Sequence, residues 1–121
     1  MNPKIVVVVE DLVFLSKIQQ TAKLMDVETE VVGLQKLGER LSTPDSVTAV
    51  IFDLNHRSGQ AVESLRAMKT DPTTRRIPSI AFLSHIQTDL AKAARDAGCD
   101  LLLARSAFTE QLPELLRRYG T

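Results

Sequence analysis

The sequence has no net charge, no tryptophan, a single cysteine and no long apolar stretch, and each absence removes a class of function. Fifteen basic residues balance fifteen acidic ones, so no global field draws the chain to nucleic acid or to an anionic membrane, and any binding has to be local. Aromatic side chains amount to four phenylalanines and Tyr119, which leaves few rings on which bases could stack. Cys99 has no intrachain partner; a lone thiol without a secretory signal agrees with a reducing compartment, and a cytoplasmic location is expected. The longest apolar run, Ile5 to Val9, falls far short of the roughly 20 residues of a spanning helix, so a soluble protein with no membrane partner is expected. Gly-rich phosphate loops are missing as well. After the first apolar run stands VEDLVF, where GxGxxG or GxxxxGKS/T would be needed, which argues against a dinucleotide or nucleoside triphosphate site.

What is present is a regular alternation. KIVVVV, residues 4 to 9, is β-branched on both alternating faces and predicts a central strand of a sheet covered on both sides. Leu12, Leu15, Ile18, Ala22 and Met25 follow at helical spacing. A short strand near Thr29 to Val32, a weak helix near Gln35 to Leu41 and a buried strand from Thr48 to Phe52 continue the pattern. A helix from about Gly59 to Lys69, the strand IPSIAFL, a helix near Thr88 to Ala97 ending at Gly98, a strand from Asp100 to Ala104 and a last helix to about Tyr119 complete it. Pro113 is expected in the first turn of that last helix. Strands alternating with helices predict an α/β fold, a three-layer doubly wound five-stranded parallel sheet of order 2-1-3-4-5. With no linker, repeat or low-complexity stretch, residues 1 to 121 are expected to form one domain with no output domain.

In a sheet of this order, ligands bind beyond the carboxyl ends of strands 1 and 3. Strand 1 runs into Glu10 and Asp11, and strand 3 into Asp53. Clustered carboxylates repel unless a cation shares them, and a hard divalent ion such as Mg2+ would resolve the conflict. Asp11 could instead only cap the helix that begins at Leu12, and Glu10 could be a solvated rim charge. Asp53 follows buried strand residues and has no helix to cap, so a ligand or nucleophile role fits it best. Ser84 ends strand 4 and Arg105 ends strand 5; three acids, a hydroxyl and a guanidinium together suit a phosphoryl group, whose transfer needs mainly positioning and charge compensation. His56 and His85 could join Asp53 around a transition metal, but histidines in a loop and at a strand end are more often exposed or capping residues. Cys99 is most simply a small buried side chain.

The order of these residues resembles the receiver domains of two-component response regulators over nearly the whole chain. The family's acidic pair falls on Glu10 and Asp11, its phosphoacceptor on Asp53, its metal-binding backbone carbonyl on Asn55 and its strand 4 hydroxyl on Ser84. MKTDPTTRRIPSIAFLS and ARDAGCDLLLAR also look like the family's approaches to strands 4 and 5. The resemblance implies a non-enzymatic, cytoplasmic, bacterial signalling protein. A histidine kinase or phosphotransfer protein would phosphorylate Asp53, with Mg2+ held by Glu10, Asp11, Asp53 and the Asn55 carbonyl. Ser84 would bind the phosphoryl group, and the face of helix 4, strand 5 and helix 5 would pass the signal to a downstream protein; self-association into a homodimer stays open.

The sequence departs from the family in five places, one of them His85, which stands where the family has a typically small residue beside the site. Arg105 stands where the family has lysine, Ser106 where it has a cis-proline and Leu102 where it has a switch aromatic, and the loop DLNHRSG is two residues short. These departures imply an alternative, a receiver-like interaction module that works without phosphorylation.

Overall fold

The structure is a computed structural model that describes residues 3–56, 59–84 and 88–120. His85 therefore lies outside the described residues, as do Arg57 and Ser58 in the loop after the third strand. Five strands, β1 (Lys4–Val8), β2 (Thr29–Val31), β3 (Val47–Asp53), β4 (Ser79–Leu83) and β5 (Leu101–Ala104), form one parallel sheet in the order β2-β1-β3-β4-β5. Five helices connect and cover them: α1 (Leu12–Leu24), α2 (Leu37–Arg40), α3 (Ala61–Thr70), α4 (Thr88–Asp96) and α5 (Arg105–Tyr119).

The two-residue period of the strands sorts their side chains into two cores. Val6, Val8, Val50, Phe52, Ala81 and Leu83 point to one face, where Leu37 of α2, Leu65 and Met68 of α3 and Ala94 of α4 cover them. Ile5, Val7, Ala49, Ile51, Ile80 and Phe82 point to the other, under Phe14 and Ile18 of α1 and Phe108, Leu112 and Leu116 of α5. This is the expected doubly wound three-layer fold, and the strands are apolar throughout because both faces are buried. Among the described residues no helix is long and apolar enough to cross a membrane.

Two local expectations are corrected. The second helix shrinks to a 3-10 turn, Leu34–Lys36, and one α-turn, Leu37–Arg40. Gly33 precedes it, Gly38 lies inside it and no side chain caps it, so little holds a longer helix together. Pro113 is not in the first turn of the last helix but inside it, because α5 starts at Arg105 directly after β5. Leu112, Leu115 and Leu116 are buried around it while Pro113 itself is exposed; burial of that stripe carries the helix through the missing N–H.

At the amino ends of β4 and β5, a polar latch ties three loops together. Lys69 Nζ donates to the carbonyls of Ile77 at 2.6 Å and Arg75 at 3.1 Å, and pairs with Asp100 Oδ2. Asp100 Oδ2 in turn accepts from Ser79 N and Oγ, at 2.8 and 3.1 Å. Gly98, at φ +97°, closes α4 in the left-handed conformation expected of it, and a Cβ there would press on Lys69 Cβ at 3.2 Å. Cys99 lies beside this latch, with Sγ donating to the Leu101 carbonyl at 3.3 Å. Burial pushes its thiol above the ordinary value, so the protonated, unreactive form is favoured.

Thr48, on β3, keeps a buried hydroxyl that has no hydrogen-bond partner among the described residues. Thr48→Val retains the shape and removes the unsatisfied group, and is expected to stabilise the fold by about 1 kcal/mol in urea unfolding.

Candidate functional site

Parallel pairing brings the carboxyl ends of four strands to one rim. Val8 stands opposite Phe52, Asp53 opposite Phe82, and Leu83 opposite Ala104. The residues that follow these positions line a cavity of about 340 Å³: Glu10, Asp11, Asp53, Asn55, His56 and Arg105. A larger hollow of about 530 Å³ lies beside β2. Its buried-side cation, Arg40, is already held by Glu30 at 3.0 Å and Ser46 Oγ at 2.8 Å, so the reactive groups belong to the smaller cavity.

Asp11 is the helix cap considered for it, and its second oxygen turns to the cavity. Its Oδ1 caps α1, accepting from Val13 N at 3.0 Å and Phe14 N at 3.1 Å, while its Oδ2 faces Arg105 at 3.7 Å. Asp53 is only 4% exposed. Its Oδ1 accepts the Asn55 N–H at 2.9 Å in a tight turn, and its Oδ2 faces the same guanidinium at 3.8 Å. Burial raises the Asp53 pKa above the ordinary carboxylate value and the Asp11 charge adds to the rise. The Asn55 N–H, Arg105 and His56 act in the opposite direction without cancelling it.

Arg105 is held from below by rings. Its guanidinium carbon lies 5.0 Å from the centre of Phe14 and 5.6 Å from that of Phe82, within cation–π range. Phe14, Phe82 and Phe108 pack on one another with centroids 4.6 to 5.7 Å apart. A planar guanidinium can stack on such a floor where a lysine ammonium would stand over it as a point charge.

Glu10 is half exposed at the rim, and its Oε1 reaches His56 Nδ1 at 3.5 Å. Ser84 is exposed and does not line the cavity; its backbone N–H donates to Asn55 Oδ1 at 2.7 Å. Leu102 packs into the core on the α4 side and Ser106 is exposed in the first turn of α5.

Among the described residues no three His, Cys, Asp or Glu side chains converge closely enough to cage a metal. Two carboxylates do converge. Asp11 Oδ2 and Asp53 Oδ2 face the same cavity without an N–H donor in bonding range among the described residues, since Arg105 stands at 3.7 and 3.8 Å. One or two carboxylates completed by waters is how Mg2+ is ordinarily bound, so the donor set fits a hard divalent ion.

Sequence reasoning located the acids and Arg105 but missed the aromatic floor and the Glu10–His56 pair. Phe14 three residues after the Asp11 cap was the available signal for the floor, because that spacing returns a side chain to the same end of the helix.

No protein-family model matches the sequence, and no curated protein matches it. Solved structures do. The phosphorylated cyanobacterial phytochrome response regulator RcpA superposes with a TM-score of 0.78 at 21% identity, over 98% of this chain and 94% of that one. The Mn(2+)-bound response regulator Rcp1 gives 0.74 at 20% identity, over 98% and 95%. A response regulator from Hahella chejuensis gives 0.82 at 15% identity, over 99% and 96%. In sheet order, in layering and along nearly its whole length, the chain has the fold of response-regulator receiver domains.

Proposed function

We propose that the protein is a two-component receiver that accepts a phosphoryl group on Asp53 and signals through protein contacts. The observation that carries this reading is the buried Asp53 carboxylate, with one oxygen fixed by Asn55 N–H and the other turned to a cavity that also holds Asp11 and Arg105. Asp53 Oδ2, which accepts no hydrogen bond among the described residues and faces Arg105 at 3.8 Å, acts as the nucleophile. An O–P bond forms as the P–N bond of a donor phosphohistidine breaks, and the departing imidazole takes a proton from solvent. Arg105 compensates the charge on the phosphoryl oxygens, and the Ser84 hydroxyl accepts the role of their hydrogen-bond donor. Asp11 and Asp53 would hold Mg2+, with the Asn55 carbonyl beside them and Glu10 acting through water, and the ion when bound would neutralise carboxylate and phosphoryl charge. The neighbour Rcp1 is an Mn(2+)-bound form and RcpA a phosphorylated one, which supports both parts of the reading.

The donor is a histidine kinase or phosphotransfer protein, and the output surface is the face of α4, β5 and α5. Incubation with acetyl phosphate and Mg2+ is expected to add the mass of a single phosphoryl group, and chelation of the metal is expected to prevent it. One observation favours a second reading. Arg105, seated on its aromatic floor, already supplies the cation that Asp11 and Asp53 share. An interaction module that needs no phosphorylation would follow, and unchanged mass at high acetyl phosphate with Mg2+ would establish it over the first.

A further inference from the structure

Asn55 makes two bonds that join the acidic site to the end of β4. Its backbone N–H donates to Asp53 Oδ1 at 2.9 Å, and its side-chain Oδ1 accepts the Ser84 N–H at 2.7 Å. The second bond sits where the β3–β4 ladder gives out. Leu54 N still donates to the Phe82 carbonyl at 2.9 Å, but the next donor on β4, Ser84 N, meets a side chain in place of backbone. An Asn at this position supplies the rung that the turning backbone no longer offers.

We propose that the Asn55 carboxamide is a positioning group for Ser84, holding it while Asp53 is an ionised carboxylate and loosening when that charge is lost. The proposal rests on the receiver reading and assigns Asn55 a side-chain role separate from its carbonyl. Asp53 Oδ1 is occupied by Asn55 N–H, so the O–P bond forms at Oδ2 while the donor's P–N bond breaks. Oδ1 then becomes the carbonyl oxygen of the acyl phosphate. Its bond to Asn55 N–H changes from charge-assisted to neutral, about half as strong, and the phosphoryl oxygens offer the Ser84 hydroxyl new acceptors. Asn55 thus ties the state of the carboxylate to the placement of Ser84.

Amide hydrogen exchange read by NMR tests this on the unmodified chain. Asn55→Ala is expected to speed exchange at Ser84 about fivefold, the scale of a single hydrogen bond, with Phe82 and Leu83 unchanged. Asn55→Asp, which keeps an acceptor oxygen, is expected to restore protection. Asp53→Asn, whose Oδ1 is neutral, is expected to give an intermediate rate. Equal Ser84 exchange in wild type and Asn55→Ala would overturn the tether, and wild-type exchange in Asp53→Asn would overturn its link to charge. None of these measurements uses a phosphodonor, so a failure of acetyl phosphate labelling strikes the receiver reading alone.

Discussion

Asp53→Asn is expected to abolish phosphoryl uptake and, at neutral pH, to leave a fold more stable than wild type. The first half rests on the proposed phosphoacceptor role of Asp53, because an amide lacks the anionic oxygen that role needs. The second follows from burial, which above all else raises the Asp53 pKa, with Asn55 N–H, Arg105 and His56 opposing and Asp11 adding to the rise. A carboxyl with a raised folded-state pKa binds its proton more tightly in the folded protein than in the unfolded chain. Ionised Asp53 therefore subtracts stability at pH 7, and the loss is recovered as the pH falls through the folded value toward the ordinary carboxylate value of 3.8. The neutral variant gains on the order of 1 kcal/mol at pH 7, and the gain vanishes below about pH 4. Urea unfolding at both pH values checks the sign; a less stable variant at pH 7 would mean that pairing with Arg105 outweighs burial.

Lys69→Met is expected to destabilise the protein by about 2 kcal/mol, on the scale of two lost carbonyl hydrogen bonds with a small addition from the half-exposed Asp100 pair. The lysine side chain is only 9% exposed and closes the loops before β4 and β5 with two carbonyl bonds and the Asp100 pair. Asp100 keeps its Ser79 partners and is nearly half exposed, so water takes up part of the loss. The pH dependence runs opposite to that of Asp53. Partial burial would raise the Asp100 pKa, but the Lys69 hydrogen bond and charge and the Ser79 donors outweigh it and the net shift is downward. The latch thus contributes fully above the unfolded carboxyl value and is lost as the pH falls through the lower folded value. Removing Lys69 should flatten the acid limb of the stability curve. Unfolding of Lys69→Met and of Lys69→Met/Asp100→Asn across pH 2 to 7 measures this, and recovery of part of the stability in the double variant would locate the cost in the stranded carboxylate.

The fold was legible because its strands carry an unambiguous signal. KIVVV, TAVIF and SIAFL are apolar on both faces, which only a covered parallel sheet requires, and the order of strands and helices then leaves few topologies. The acids were legible for the same reason, since a charge at the end of a buried run has few structural explanations. Where long-range contacts decide, the sequence is silent. Pro113 breaks a local rule that the buried Leu112–Leu116 stripe overrides, and Gly33 and Gly38 weaken α2 without marking where it stops. Phe14, Phe82 and Phe108 come from three separate elements, so their floor under Arg105 exists only after folding. The Asn55–Ser84 bond spans 29 residues and has no local mark either.

Arg105 is at once the cation of the site and the first residue of α5, with β5 ending at Ala104 immediately before it. The junction has no slack. A guanidinium drawn toward added negative charge cannot travel far on its own, because the rings of Phe14 and Phe82 pack beneath it, and the backbone it pulls on is already helical. The α5 rod is pinned at Phe108, Leu112 and Leu116, so traction at its head is a torque on the whole rod. In mechanical terms the junction is stiff: any load placed on Arg105 bears directly on a 15-residue helix that is already held along its length by Phe108, Leu112 and Leu116.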